Sequence, residues 1–258
     1  MIPVAAPAET AGLRIVLVTG AAGAIGGATV DAFLAAGYRV VGLDRDASVA
    51  TGRGASYEGH QVDLEDEAAV QAAIEAATPF GRLAHVIGIA GGALPIEPPT
   101  QHDPVLLSTA DFRASLEANL TTQYVMLRAT LPWLRASADG DRSVTFTSSF
   151  NALTGWGMPA YSSAKAGLIG LMHALAPVLG AEGIRVNVMA PGTVRTPRTE
   201  RIWAGDPDHF PQLERTSALG RLATPDDVAR SFVALATLMT HVTGQVIVVD
   251  GGQLVKRT

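Results

Sequence analysis

The segment Arg14–Thr19 reads RIVLVT and runs directly into Gly20-Ala21-Ala22-Gly23-Ala24-Ile25-Gly26, after which Ala24–Ala36 has the composition of a helix. An unbroken run of branched apolar residues, with no polar alternation, is a strand buried on both faces. The glycines let the chain turn tightly from that strand into a helix. The pattern then repeats. Strands are expected at Arg39–Leu43, around Gln61–Val62, and at Ala84–Ile89, Ser143–Thr147, Arg185–Met189 and Gln245–Val249. Helices are expected at Asp66–Ala77, Asp111–Ala136, Ala160–Ala181 and Asp226–Leu238. Strand and helix alternating in this way implies right-handed crossovers and a parallel sheet covered on both sides. The fold class is therefore α/β: a single doubly wound domain of about seven strands, spanning 13–258 after a lead-in at 1–12.

Composition supports this reading and excludes others. Of 258 residues, 48% are hydrophobic and 17% charged, which is enough apolar material for a large core. The net charge of −5 and the absence of a basic block argue against nucleic acid as a partner. There is no cysteine, so disulfides, thiolate catalysis and cysteine-ligated zinc are excluded. The six histidines, at 60, 85, 102, 173, 209 and 241, have no metal-ligand spacing. No apolar run is expected to span a membrane. Met1–Gly12 lacks a basic region followed by an apolar stretch, so it is not read as a signal peptide, and a cytoplasmic location is expected.

The strand–turn–helix unit also has a chemical use. Glycines allow the backbone to approach a pyrophosphate, and a helix N-terminus offers free N–H groups with partial positive charge. Gly20, Gly23, Ala24, Ile25 and Gly26 are the candidate phosphate loop, with the spacing G-x-x-G-x-x-G. The second strand ends at Asp44, where a carboxylate can accept both hydroxyls of an adenosine ribose and repel a 2′-phosphate. This favours NAD. Arg45 comes next and could reach a 2′-phosphate, which keeps NADP as the alternative. Asp63 is a candidate partner for an adenine.

Tyr161 and Lys165 lie four apart, so they share one helix face. An ammonium near a phenol stabilises phenolate and is expected to lower the tyrosine pKa. Ser148 and Ser149 end the preceding strand, and Asn119 sits within the long helix where asparagine has poor propensity. With Pro191-Gly192 and the closing Val249-Asp250-Gly251-Gly252, these motifs resemble the short-chain dehydrogenase/reductase family from about Leu13 onward, with a Rossmann-type domain. The compact members, including those similar to β-ketoacyl carrier-protein reductase, are the nearest likeness. The resemblance implies Tyr161 as acid/base and Lys165 as the partner of a nicotinamide ribose. It implies a serine orienting the substrate oxygen and Asn119 holding a relay water. The family's loop length gives Ser148, and the strand end gives Ser149, which we prefer. Thr193, Val194 and Thr196 after Pro191 and Gly192 would meet the nicotinamide carboxamide. Asp63 and Leu64 would flank the adenine, and Ala90 and Gly91 would pass the adenosine ribose. A homotetramer or homodimer is also implied.

Two departures stand out. Ala24 holds a position that is usually glycine, giving a turn like that of the family's extended epimerases and dehydratases. The usual Asn-Asn-Ala-Gly is here Gly88-Ile89-Ala90-Gly91. Side-chain bonds bracing the central strands are therefore expected to be lost, with Gly88 and Gly92 leaving room beside the substrate. Leu94, Asn151, Trp156 and Trp203 are candidate substrate contacts, with Met158 and Phe210 as weaker ones. The irregular stretch Thr193–Leu222 reads as a lid, and its Arg195, Arg198 and Arg201 read as solvated charge. Three functions follow. The favoured one is an NAD(P)-dependent oxidoreductase acting on a secondary alcohol or ketone. The others are a nicotinamide-retaining epimerase or dehydratase, and a non-catalytic dinucleotide-binding regulatory module.

Overall fold

The computed structural model describes residues 13–77, 81–97, 103–137, 140–154 and 156–255; the lead-in expected at 1–12 lies outside them, as does His102. The strands are β1 (Arg14–Thr19), β2 (Arg39–Asp44), β3 (Tyr57–Gln61), β4 (Arg82–Gly88), β5 (Arg142–Thr147), β6 (Ile184–Pro191) and β7 (Val246–Val249). They form one seven-stranded sheet in the order β3-β2-β1-β4-β5-β6-β7, with every neighbouring pair parallel. The helices are α1 (Ala24–Ala35), α2 (Glu67–Ala77), α3 (Thr109–Leu116), α4 (Thr122–Ala136), α5 (Pro159–Ala181), α6 (Pro197–Ile202), α7 (His209–Thr216) and α8 (Pro225–Thr237).

The pleat sorts each strand's side chains onto two cores. Ile15 and Leu17 of β1 join Val41, Leu43, Val86, Val144 and Val186 under α2, α4 and α5, where Ile74, Met126, Leu168 and Met172 meet them. Val16 and Val18 face the other way, against Val30 and Phe33 of α1 and Val228, Phe232 and Leu235 of α8. Strands with no polar face are thus buried on both sides. The two edge strands are less buried, β7 being half-buried throughout and β3 also polar; β3 differs most. Its sequence YEGHQ is polar and half exposed, as suits the edge of a sheet, so its start at Tyr57 was hidden from a search for apolar runs.

Two expectations about helices are corrected. Asp111–Ala136 is not one regular helix: α3 passes into α4 through a π-turn at Glu117–Thr121. Contrary to the expectation that no run could span a membrane, α5 is long and apolar enough by length and composition. It nevertheless buries Ala164, Lys165, Leu168, Met172, Ala176 and Leu179, and the last four of these pack in the core against the sheet. The stretch 193–222, expected to be irregular, carries α6 and α7.

The N-terminal end of the sheet is closed by a polar cluster. His85 is fully buried, with Nδ1 2.8 Å from Ser143 Oγ and Nε2 3.3 Å from Arg14 Nη2. Arg185 binds Asp141 with two hydrogen bonds of 2.8 and 2.9 Å. Burial, then the charges of Arg14 and Arg185, hold the His85 pKa well below 6.5. The unfolded chain therefore binds a proton below pH 6.5 that the native protein refuses, and stability falls as pH drops. We expect the loss to approach about 1.4 kcal/mol per pH unit below 6.5. Urea midpoints at pH 7.5 and 5.5 check this, and His85→Asn should flatten the difference.

Candidate active site

The winding of the sheet reverses between β1 and β4, and the candidate residues gather at the C-terminal ends of the strands around that point. At the end of β1, Gly20 has φ +69°, and a Cβ there would lie 2.9 Å from Ala90 N. A Cβ on Gly26 would fall 1.9 Å from Gly20 O. These two glycines are required by the packing of the turn itself. Gly23 is different. It is exposed and is the N-cap of α1, with no side chain capping the helix and no acidic residue in its first turn. The positive end of α1 is left open beside Ala24 and Ile25, as a pyrophosphate requires. Asp44 is held against this turn, its Oδ2 accepting from Ala22 N at 3.0 Å and its Oδ1 from Asp46 N at 3.0 Å. Arg45 is exposed beside it. These features fit a dinucleotide.

The adenine candidates divide. Asp63 is exposed and its Oδ1 accepts from Glu65 N, whereas the Leu64 side chain belongs to the core. Among the residues expected to meet the nicotinamide, Pro191 ends β6, and Gly192 N donates to Val249 O at 2.9 Å. Thr193 N donates to Gln253 Oε1 at 3.3 Å, and Val194 pairs with Ala223. The Thr196 hydroxyl serves as the N-cap of α6, accepting from Thr199 N at 3.1 Å.

Helix α5 and the end of β5 bring the reactive groups together. Lys165 is buried, donates from Nζ to Thr147 O at 2.9 Å, and stands 5.7 Å from the centre of the Tyr161 ring. Loss of solvent lowers the lysine pKa to about 7. The two serines have separate positions. Ser148 donates to Lys165 O at 2.7 Å and is buried beneath the helix. Ser149 acts on the Tyr161 hydroxyl in the direction that lowers its pKa. Its Oγ also accepts from Asn151 N at 3.2 Å and donates to Asn151 Oδ1 at 3.3 Å. Tyr161 itself reverses an expectation. Its pKa is raised, because desolvation of the hydroxyl outweighs Ser149 and the positive charge of Arg198. The cation that offsets burial is thus on α6, outside the Tyr-x-x-x-Lys motif.

Asn119 lies in the π-turn, a distortion often found at functional positions. Its Oδ1 accepts from Gly92 N at 2.7 Å, and its Nδ2 donates to Gly92 O at 3.1 Å and Ser115 O at 3.0 Å. The side chain therefore grips the segment after β4.

That segment corrects the expected loss of bracing. Thr19 Oγ1 accepts from both Ile89 N and Ala90 N, and Gln123 Nε2 donates to Ala90 O at 2.7 Å. A Cβ on Gly88 would stand 1.9 Å from Gln123 Oε1. The glutamine from α4 occupies the space a side chain at 88 would need, so the bracing comes from another element. Gly88 leaves no room for a substrate. Gly92 leaves none either, since the Arg198 guanidinium lies over it and donates to Ala93 O.

The proposed wall residues are less uniform. Asn151 lies beside Ser149, and its Nδ2 donates to Trp156 O at 3.3 Å. Trp156 is 48% exposed and meets Phe150 edge-on. Met158, weaker among the candidates, is buried at the start of α5. Leu94 is half-buried in the loop after β4. Trp203, at the end of α6, stacks on His209, at the start of α7, at 3.5 Å, so one ring face is already covered. Phe210 meets the same histidine and Arg195. Sequence reasoning missed Thr19, Gln123 and Glu97, which bonds the backbone of Tyr161. Glu97 had one signal, an acidic residue inside the apolar run Leu94-Pro95-Ile96-Glu97-Pro98.

Residues 20–253 match the family model described as enoyl-(acyl carrier protein) reductase. The chain belongs to the short-chain dehydrogenase/reductase family. An oxidoreductase of this family from Burkholderia thailandensis has a solved structure with a TM-score of 0.85 and 38% identity, covering 96% of this chain and 95% of that one. D-threitol dehydrogenase of Mycolicibacterium smegmatis is 31% identical, over 94% of each chain. L-fucose dehydrogenase of Mus musculus is 34% identical over 93% of this chain and 88% of the relative. The protein is thus an oxidoreductase of a family that uses a nicotinamide cofactor.

The Gln123–Gly88 fit gives a direct test. Gly88→Ala should destabilise the protein by roughly 1–3 kcal/mol through overpacking. Adding Gln123→Ala should remove most of that cost, so a denaturation double-mutant cycle should give a favourable coupling.

Proposed function

We propose that this chain is an NAD-dependent oxidoreductase that transfers a hydride between the nicotinamide and a secondary alcohol or ketone, with Tyr161 as general acid and base. The observation that carries the proposal is the buried Lys165 ammonium 5.7 Å from the centre of the Tyr161 ring, with Ser149 acting on the Tyr161 hydroxyl. The nicotinamide, when bound, supplies the hydride donor or acceptor. The protein handles the proton and the positioning.

In the oxidation direction, the Tyr161 phenolate takes the alcohol proton. In reduction, the phenol returns it to the developing alkoxide. Ser149 holds the substrate oxygen and stabilises its charge. Lys165 and Arg198 place positive charge near the phenolate, and Lys165 would also hold the cofactor ribose. Because burial raises the Tyr161 pKa, oxidation should speed up as pH rises above neutral, and reduction should slow. Relatives named for threitol and fucose make polyols and sugars sensible first substrates. Tyr161→Phe should lower kcat by about 10²–10⁴-fold, read as NADH absorbance at 340 nm. Turnover of a substrate with no net NADH change would point instead to an epimerase or dehydratase.

The NAD preference rests on Asp44, which is fixed by two backbone N–H groups at the edge of the phosphate turn. Replacing it with alanine should narrow the ratio of kcat/KM for NAD over NADP by about tenfold or more, since it removes repulsion of a 2′-phosphate. An unchanged ratio rejects the assignment.

A further inference from the structure

Helix α5 begins in an unusual way. Its N-cap is Met158, whose side chain cannot accept a hydrogen bond and which has φ +55°. It is the sole non-glycine residue with positive φ among the described residues, a conformation that L-residues seldom take. The next residue, Pro159, has no N–H. The first free N–H groups of the helix are therefore those of Ala160 and Tyr161. Both are taken by one carboxylate from far away in the sequence. Glu97 Oε1 accepts from Ala160 N at 2.7 Å, and Oε2 from Tyr161 N at 2.8 Å. Glu97 is 1% exposed and has no salt-bridge partner among the described residues.

We propose that Glu97 is a positioning residue for the reaction. Its carboxylate fixes the backbone of Tyr161 and neutralises the positive end of α5 on which that residue sits. The proposal rests on Tyr161 being the acid/base.

Burying a carboxylate is costly, and an ordinary serine or aspartate at the N-cap position would satisfy the same donors locally. The arrangement found here does more than cap the helix. It ties the acid/base residue to the loop after β4. That loop is gripped at Gly92 by Asn119 and at Ala93 by Arg198. The backbone of Tyr161, the lid arginine and the segment beside the phosphate turn are thereby joined through one short stretch of chain.

The charge has a second consequence. The N-terminus of a long helix favours an anion, and the Tyr161 phenolate would be such an anion. A fixed negative charge there opposes the effect. The groups facing Tyr161 are Ser149 after β5, Lys165 on α5 and Arg198 on α6, with Glu97 at its backbone. Glu97 is the only acidic member of this set.

Glu97→Gln removes the charge and turns one acceptor into a donor facing an N–H group. The ionisation of Tyr161 is followed by absorbance at 295 nm in the full chain with and without Glu97→Gln, each taken as a difference against Tyr161→Phe in the same background. The midpoint should fall by about one pH unit in the variant. In the alcohol-oxidation assay the pH profile of kcat should move the same way. The maximum kcat should drop roughly tenfold from misplacement of the phenol, while KM for NAD stays within twofold. A folded variant with an unmoved midpoint and profile overturns the proposal, because a simple cap would change only thermal stability. The optical titration does not depend on turnover, so absence of activity in the wild type would reject the hydride-transfer reading without deciding the role of Glu97. Should Glu97→Gln fail to fold, Glu97→Asp decides. It keeps the charge but reaches one N–H group, and should lower kcat with the midpoint unmoved. A wild-type kcat there also overturns the proposal.

Discussion

Everything in the site depends on how closely the ends of β1 and β4 approach where the sheet reverses its winding. Two strands whose crossovers lead to opposite sides leave a crevice above their ends. Here the crevice is narrow at its base because Gly20 has no side chain and lies against the backbone of Ala90. Thr19 fastens the contact by accepting from two successive N–H groups of the β4 segment. With these ends fixed, the phosphate turn, Asp44 and the segment gripped by Asn119 have defined positions relative to one another.

The second governing effect is desolvation. Tyr161 and Lys165 both sit where loss of water disfavours their charged forms, so the phenol pKa rises and the lysine pKa falls. The motif alone suggested a simple attraction that lowers the tyrosine pKa. In the folded protein loss of water outweighs that attraction at the Tyr161 hydroxyl, and Arg198 on a separate helix supplies offsetting positive charge. This couples α6 to the Tyr161 hydroxyl by electrostatics. It also explains why an arginine read from sequence as solvated charge lies over Gly92 instead.

Much of the frame was legible in the chain. The apolar runs marked six of the seven strands, and the glycine turn with Asp44 marked the crevice. The polar edge strand was expected only around Gln61–Val62, because half-exposed polar residues leave no apolar signature of its start at Tyr57. The π-turn at Asn119 was visible only as an asparagine in a poor place. The replacement of the family's bracing asparagines was read as a loss, because nothing local shows that Gln123, on another element, fills the space at Gly88.

The sequence by itself determined the parallel α/β architecture and the order of the phosphate turn, Asp44, Asn119, the serine pair, Tyr161 and Lys165. The physical reason is that strand burial, helix periodicity and glycine turns are local properties of the chain. Only the tertiary structure decided which serine meets Tyr161, and that Glu97 holds the first N–H groups of α5. It also decided that Gln123 and Arg198 occupy the space left by two glycines. These outcomes depend on contacts between elements distant in sequence, and on how much water the packed chain removes from each charged group.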